Sequence, residues 1–128
     1  MTKSRVPSKK PDTKMTADFS DKPKTRRFAD TIIALVESLG PSRRETKAQL
    51  TFGGKRKFIW LWAYGHTADG TLYVTVCLDR KLGGEHFRYV KQVGPNRWNH
   101  HVVVKSDDQI ASAWFSELVE AGYAFANQ

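Results

Sequence analysis

Near the start of the chain, apolar residues recur at the three- and four-residue spacing of an amphipathic helix. Thr25 precedes this run as a candidate N-cap, and Gly40 and Pro41 follow it, where they would end a helix. The pattern therefore predicts a helix from about 25 to 39. Its apolar stripe is formed by Phe28, Ala29, Ile32, Ile33, Leu35, Val36 and Leu39.

From Glu45 onward the apolar period shortens to two, which is typical of β-strands. Glycine-containing turns separate the alternating runs, and the connections are short. We expect an antiparallel meander of about five strands, over 45–52, 58–64, 71–78, 86–92 and 98–105.

The strand over 58–64 is apolar on both faces, which indicates a central position in the sheet. Strict alternation places four aromatic residues on one of its faces: Phe58, Trp60, Trp62 and Tyr64. In the last strand, alternation places Trp98 on the same face as His100, Val102 and Val104, and we expect that face to meet the helices.

The end of the chain predicts a second helix. Ser106 and Gln109 have the spacing of a capping box, and a wide apolar stripe runs from Ile110 to Phe125. The order of helix, antiparallel strands and helix predicts one α+β domain over 25–128.

The first 24 residues have a different composition, with few large apolar side chains among Lys, Ser, Thr and Pro. Burial of so few apolar groups would not offset the entropy of ordering the backbone. We expect 1–24 to be a disordered basic arm. Residues 1–27 hold nine Lys/Arg against three acids, so +6 of the formal charge of +8 lies there.

The only cysteine, Cys77, has no internal partner and lies within an apolar alternating run, so we expect a buried thiol. The chain shows neither the apolar core of a signal peptide nor a run long enough to span a membrane. These features favour a cytoplasmic location and no membrane partner.

The pattern nominates no catalytic residue, no metal site and no cofactor. His100 and His101 are adjacent on a predicted strand and point to opposite faces, so they do not form a ligand pair. We expect the one that faces inward to be a hydrogen-bonded structural histidine, and the domain to be a binding or accessory module rather than an enzyme.

Two features suggest a partner. The basic arm, the hairpin-tip cations Lys55, Arg56 and Lys57, and Arg97 could contact the phosphates of a nucleic acid. Alternatively, Trp60, Trp62 and Tyr64 could stack on a small-molecule or peptide ligand at an aromatic sheet face. The basic residues are also typical of a soluble tail, and the aromatic residues are also typical of core packing or of a self-association face. The sequence therefore does not decide between a monomer and a homodimer.

Three stretches resemble the domain-of-unknown-function 5655 family. They are the basic turn with the aromatic strand Phe58 to Trp62, the run from Asn96 to Val104, and Ser106-Asp107-Asp108 with Ala121-Gly122-Tyr123. The resemblance covers about 26–126. It implies an α+β shape like that of small YjbR-type domains, for which DNA binding has been proposed, and similar domains can accompany predicted nucleases. It implies no catalytic residues.

Overall fold

The computed structural model describes residues 12–128. Over this range the chain forms three helices and seven strands. In chain order they are β1 (Met15–Thr16), α1 (Pro23–Leu39), β2 (Arg43–Thr46), β3 (Leu50–Gly53), β4 (Lys57–Tyr64), β5 (Leu72–Leu78), β6 (Tyr89–Gly94), β7 (Arg97–Val104), α2 (Asp107–Ala111) and α3 (Ala113–Ala126).

The strands form one antiparallel sheet in the order β2-β3-β4-β5-β7-β6, and β1 pairs with the end of β4. This confirms the α+β fold class and corrects the five-strand meander. The predicted strand 45–52 is the hairpin of β2 and β3, and β7 lies between β5 and β6. The connection over 79–88 is long enough to carry the chain past the position that β7 takes, so β6 pairs with β7 alone.

The three helices contact one another and form a single layer on one side of the sheet. The helical layer packs tightly on the sheet at Gly122 of α3, where an added Cβ would lie 2.7 Å from Val76 Cγ1 and 2.9 Å from Phe58 Cδ2. The predicted C-terminal helix is divided at Ser112 into α2 and α3, and its capping box at Ser106 is confirmed.

The expectation that Phe58 shares a face with Trp60 is wrong, because the pairing of β3 with β4 is irregular. Phe52 pairs with Ile59 and Gly53 pairs with Lys57, so Phe58 is an extra residue on β4. Such a bulge turns a side chain away from strict alternation. Phe58 is fully buried and makes an edge-to-face contact with Tyr123 of α3.

The segment before α1 corrects the expected domain boundary at residue 25. Met15 and Thr16 pair with Tyr64 and Ala63, and Phe19 is 7% exposed within the core. A single large aromatic side chain and two strand residues anchor this segment, and neither produces a periodic pattern. The expected disorder of residues 1–11 lies outside the described residues.

The start of α1 also differs from the prediction. The helix begins at Pro23, two residues before Thr25, and its N-terminal N–H groups are capped from a distant turn. Asp69 Oδ1 accepts hydrogen bonds from the N–H groups of Lys24 and Thr25, at 2.9 and 3.0 Å. The Thr25 hydroxyl instead donates to Thr71 O, so the helix start is fastened to the beginning of β5.

Replacement of Phe19 by Ala tests whether the segment before α1 belongs to the folded domain. We expect Phe19→Ala to lower the free energy of unfolding by about 3–5 kcal/mol, because it leaves a cavity in the core. The matched control is Met15→Ala, since Met15 is 41% exposed. Chemical denaturation measures both, and equal small effects would restore the expectation of a disordered arm.

Candidate nucleic-acid interface

No helix of residues 12–128 packs on the side of the sheet opposite the helices, which carries exposed and partly exposed side chains as well as the buried Thr51, Thr75 and Cys77. Pairing fixes which residues lie there: Val76 faces α3 and pairs with Ile59 and His100, so their neighbours in each strand face away. We call this side the helix-free face. It carries Glu45, Thr51, Trp60, Trp62, Tyr64, Tyr73, Thr75, Cys77, Tyr89, Lys91, Asn99, His101 and Val103.

Aromatic side chains of β4 and β5 form a continuous row on this face. Trp62 stacks with Tyr73 at 5.9 Å between ring centroids, and Tyr64 meets Tyr73 edge-to-face at 5.2 Å. Trp62 is only 7% exposed, whereas Trp60, Tyr64 and Tyr73 are partly exposed. The structure thus places all three predicted stacking residues, Trp60, Trp62 and Tyr64, on one face, and Trp62 is the most buried of the three.

A second aromatic pair lies at the other edge of the sheet. Tyr89 of β6 is 51% exposed and stacks on the His101 ring at 4.1 Å. The His101 ring is positioned by a 2.8 Å hydrogen bond between its Nδ1 and the hydroxyl of Thr75, its neighbour across the β5–β7 pair. Burial, followed by the charge of His100, lowers the pKa of His101, which favours the neutral ring.

Cations outnumber acids on the helix-free face and at its rim. The cations are Arg43, Lys57, Arg88, Lys91, Arg97 and Lys105. The acids are Glu45 on the face, Asp79 beside Arg97 and Asp12 beside His66. Lys57 Nζ lies 2.7 Å from Glu45 Oε1. The hydrogen bond from Lys57, followed by the charge of Lys47, lowers the pKa of Glu45, so this acid is ionised and its charge is paired.

The three hairpin-tip cations that were predicted to contact phosphate have different roles in the structure. Arg56 Nη1 donates to Phe125 O at 2.6 Å, and its guanidinium lies 4.6 Å from the centroid of the Phe125 ring. Lys57 is paired with Glu45. The side chain of Lys55 is exposed and has no ion-pair partner among residues 12–128. The sequence analysis treated these three cations as one binding cluster, but in the structure each of them has a different environment.

Arg97 is exposed at the beginning of β7. It lines an open groove of about 490 Å³ together with Arg56, Asp79 and Phe125. The structure thus brings Arg97 near Arg56, but at one end of the sheet and beside an acid. Trp98 pairs with the fully buried Leu78, which confirms that it belongs to the face that meets the helices.

His100 is the inward-facing histidine of the adjacent pair and is fully buried, which confirms its expected structural role. Its Nε2 accepts from the N–H of Leu82 at 3.0 Å, and its Nδ1 lies 3.1 Å from Trp98 O. Nδ1 therefore carries the proton. Burial lowers the pKa of His100, and the neutral ring fastens the 79–88 connection to the helical side of the sheet.

Two further expectations concern metals and the thiol. In the described range no group of three His, Cys, Asp or Glu residues could hold a metal ion. Cys77 is buried, as expected, and its burial raises the pKa of the thiol.

The sequence analysis missed several residues of the helix-free face and its rim. They are Tyr89, Lys91 and His101 on the face, and Arg88 and Lys105 at the rim. The alternation of β7 predicted that His101 points to the face opposite that of His100. The sequence analysis used this prediction only to exclude a metal site. The contribution of β6 depends on its pairing with β7, which no local pattern reveals.

A family model described as a domain of unknown function, DUF5655, matches residues 15–126. The chain belongs to the DUF5655 family. This match includes β1 and Phe19, in agreement with the folded segment before α1. Neither a curated protein nor a solved structure matches the chain, and none of the described helices of this DUF5655 domain is long and apolar enough to cross a membrane.

Replacement of Arg56 separates a structural role of the hairpin tip from a binding role. We expect Arg56→Ala to lower the free energy of unfolding by about 2 kcal/mol, because it removes a charged hydrogen bond to the end of α3. The neighbouring Lys55→Ala should change it by less than about 0.5 kcal/mol. Denaturant midpoints measure both, and an unchanged midpoint for Arg56→Ala would contradict the structural assignment.

Proposed function

We propose that this domain binds single-stranded nucleic acid across the helix-free face. The observation that carries the proposal is the coincidence of partly exposed aromatic rings and an excess of cations on a sheet face without a helix. Unpaired bases stack on aromatic side chains, while cations along the same surface neutralise the phosphates. The face offers both kinds of contact side by side.

The aromatic rings favour a single strand over a duplex. In a duplex each base is stacked between its neighbours, so its flat surface is not available to Trp60 or Tyr89. Trp60 of β4 and Tyr89 of β6 occupy paired positions across β5 and β7, three strand spacings apart, which is about 14 Å. A strand that contacts both must run across the sheet and pass over β5 and β7.

The charges favour a polyanion over a neutral ligand. Lys91 is exposed on β6, opposite Asn99 of β7, and lies on the same face as Tyr89, two residues further along the strand. Lys91 has no carboxylate partner among residues 12–128, whereas Glu45 is occupied by Lys57. The cations that remain free can therefore contact phosphates without first breaking an ion pair.

The N-terminal residues can add to this attraction. Residues 1–11 contain four cations and no acid. The described part begins at Asp12, whose carbonyl accepts a hydrogen bond from His66, next to the ring of Tyr64. Asp12 therefore lies at one end of the helix-free face, and the four cations precede it in the sequence.

A small-molecule or peptide ligand on the same aromatic rings is the alternative, and the salt dependence of binding distinguishes it. Release of counterions makes nucleic-acid affinity fall steeply with salt, whereas stacking of a neutral ligand does not. The proposal includes a cytoplasmic location, which the unpaired and buried Cys77 supports.

Binding of a labelled mixed-sequence 12-mer at low salt, measured by fluorescence anisotropy, tests the proposal. We expect micromolar affinity for single-stranded DNA or RNA, with weaker binding of a duplex. Trp60→Ala should weaken binding about tenfold because one stacking contact is lost. Lys91→Ala should reduce the slope of log affinity against log salt by about 0.7, the value for one phosphate contact on a single strand.

The matched control is Arg26→Ala, which removes an exposed cation from the helical side of the molecule. It should leave affinity nearly unchanged, and thermal unfolding of each variant shows whether it is folded. No binding at low salt, or equal losses for Arg26→Ala and Trp60→Ala, would contradict the proposal.

A further inference from the structure

We infer that one end of the helix-free face is a site for a terminal phosphate monoester and its adjacent base, carried by a mononucleotide or by the phosphorylated end of a strand. This inference rests on the proposed function where the ligand is a strand. The site is the groove lined by His66, Thr67, Ala68, Thr71, Tyr73, Arg88, Val103 and Lys105. We call it the end groove.

The end groove exists because β6 is shorter than β7. The first paired residue of β6 is Tyr89, opposite His101, while β7 continues to Val104. The last contact before the chain diverges is the 2.8 Å hydrogen bond from Arg88 N–H to His101 O. Beyond it, the outer side of β7 has no neighbouring strand, which leaves a recess beside Val103.

The floor and one wall of this recess are aromatic. Tyr73 pairs with Val103, and the two side chains lie next to each other on the helix-free face. Tyr73 is held in place by its contacts with Trp62 and Tyr64, and the ring of His66 stacks on Tyr64 at 5.9 Å. A base can therefore lie on a ring that is already fixed, with little further loss of side-chain freedom.

Two cations face the same recess. Arg88 and Lys105 are both exposed and line the groove, and neither has a carboxylate partner among residues 12–128. Among the acids near Lys105, Asp107 pairs with Arg27, and Asp108 lines a second groove beside Lys105 but not the end groove. Asp69 caps α1, and Asp12 Oδ1 accepts a hydrogen bond from Lys14 N–H.

The charge of the recess suits a monoester better than a diester. A phosphate monoester carries a charge of about −1.5 to −2 at neutral pH, and an internal phosphodiester carries −1. An arginine can hold two oxygens of one phosphate through parallel hydrogen bonds, and a lysine adds a second charge. Arg88 and Lys105 together match the doubly charged group.

The size of the recess is also suitable. Its volume is about 520 Å³, within the range of pockets that hold small ligands. His66 donates from Nδ1 to Asp12 O, so its Nε2 stays available to a ligand group in the groove.

The test compares three single-stranded 12-mers of one sequence, with a 5′-phosphate, with a 3′-phosphate and without a terminal phosphate. Adenosine 5′-monophosphate and inorganic phosphate are separate probes. We expect a phosphate at one end to tighten binding about tenfold. The double variant Arg88→Gln/Lys105→Gln should abolish this gain, so that it binds all three strands with equal affinity.

The matched control is Arg80→Gln/Lys81→Gln, which removes two exposed cations from the 79–88 connection and should keep the gain. If no phosphorylated strand gains affinity, or if the control loses the gain equally, the inference is overturned while strand binding stands. If the mononucleotide binds in an Arg88- and Lys105-dependent way but no strand binds, the end groove is supported and the proposed function fails. If inorganic phosphate binds as tightly as the mononucleotide, the role of Tyr73 is overturned.

Discussion

The close approach of α3 to the sheet at Gly122 is the contact on which the rest of this structure depends. A side chain at that position would overlap Val76 and Phe58, so only glycine lets the helix lie this near. The bulge in β4 serves the same contact, because it turns Phe58 toward α3 and leaves Trp60 on the other side. The helical layer is thereby confined to one side of the sheet, and the aromatic rows are left without a covering helix.

The same helix explains why the cations of the hairpin tip are poor candidates for binding. The end of α3 has carbonyl groups without helical partners, and Arg56 together with the N–H of Lys55 satisfies two of them. The guanidinium of Arg56, which the sequence suggested as a ligand contact, therefore connects the hairpin to the end of α3. On the helix-free face and its rim, Arg43 donates to Gly54 O and Lys57 pairs with Glu45. The side chains of Arg88, Lys91 and Lys105 make no hydrogen bond or ion pair within residues 12–128, which is why the proposed interface lies there.

Local pattern predicted what depends on local periodicity: the positions of α1 and the central strands, the capping box at Ser106, the burial of Cys77 and the inward direction of Trp98 and His100. The local pattern did not predict features that depend on contacts between residues far apart in the sequence. Phe19 has no periodic neighbours, and its burial depends on a cavity that α1 and the sheet provide. The position of β6 beside β7 follows from the 79–88 connection, which His100 holds to the helical side. Because β6 was misplaced, the contribution of Tyr89 and Lys91 to the helix-free face could not be predicted from the sequence.

The four tryptophans provide the most direct test of the central claim that the helix-free face is the binding surface. Trp60 and Trp62 lie on this face, whereas Trp98 and Trp114 belong to the helical side. The measurement is the ¹H–¹⁵N spectrum of the indole N–H groups during titration with a single-stranded oligonucleotide at low salt. The account predicts that the signals of Trp60 and Trp62 shift with a saturable dependence and that those of Trp98 and Trp114 stay in place. Shifts confined to Trp98 and Trp114, or no shift at any concentration, would contradict it.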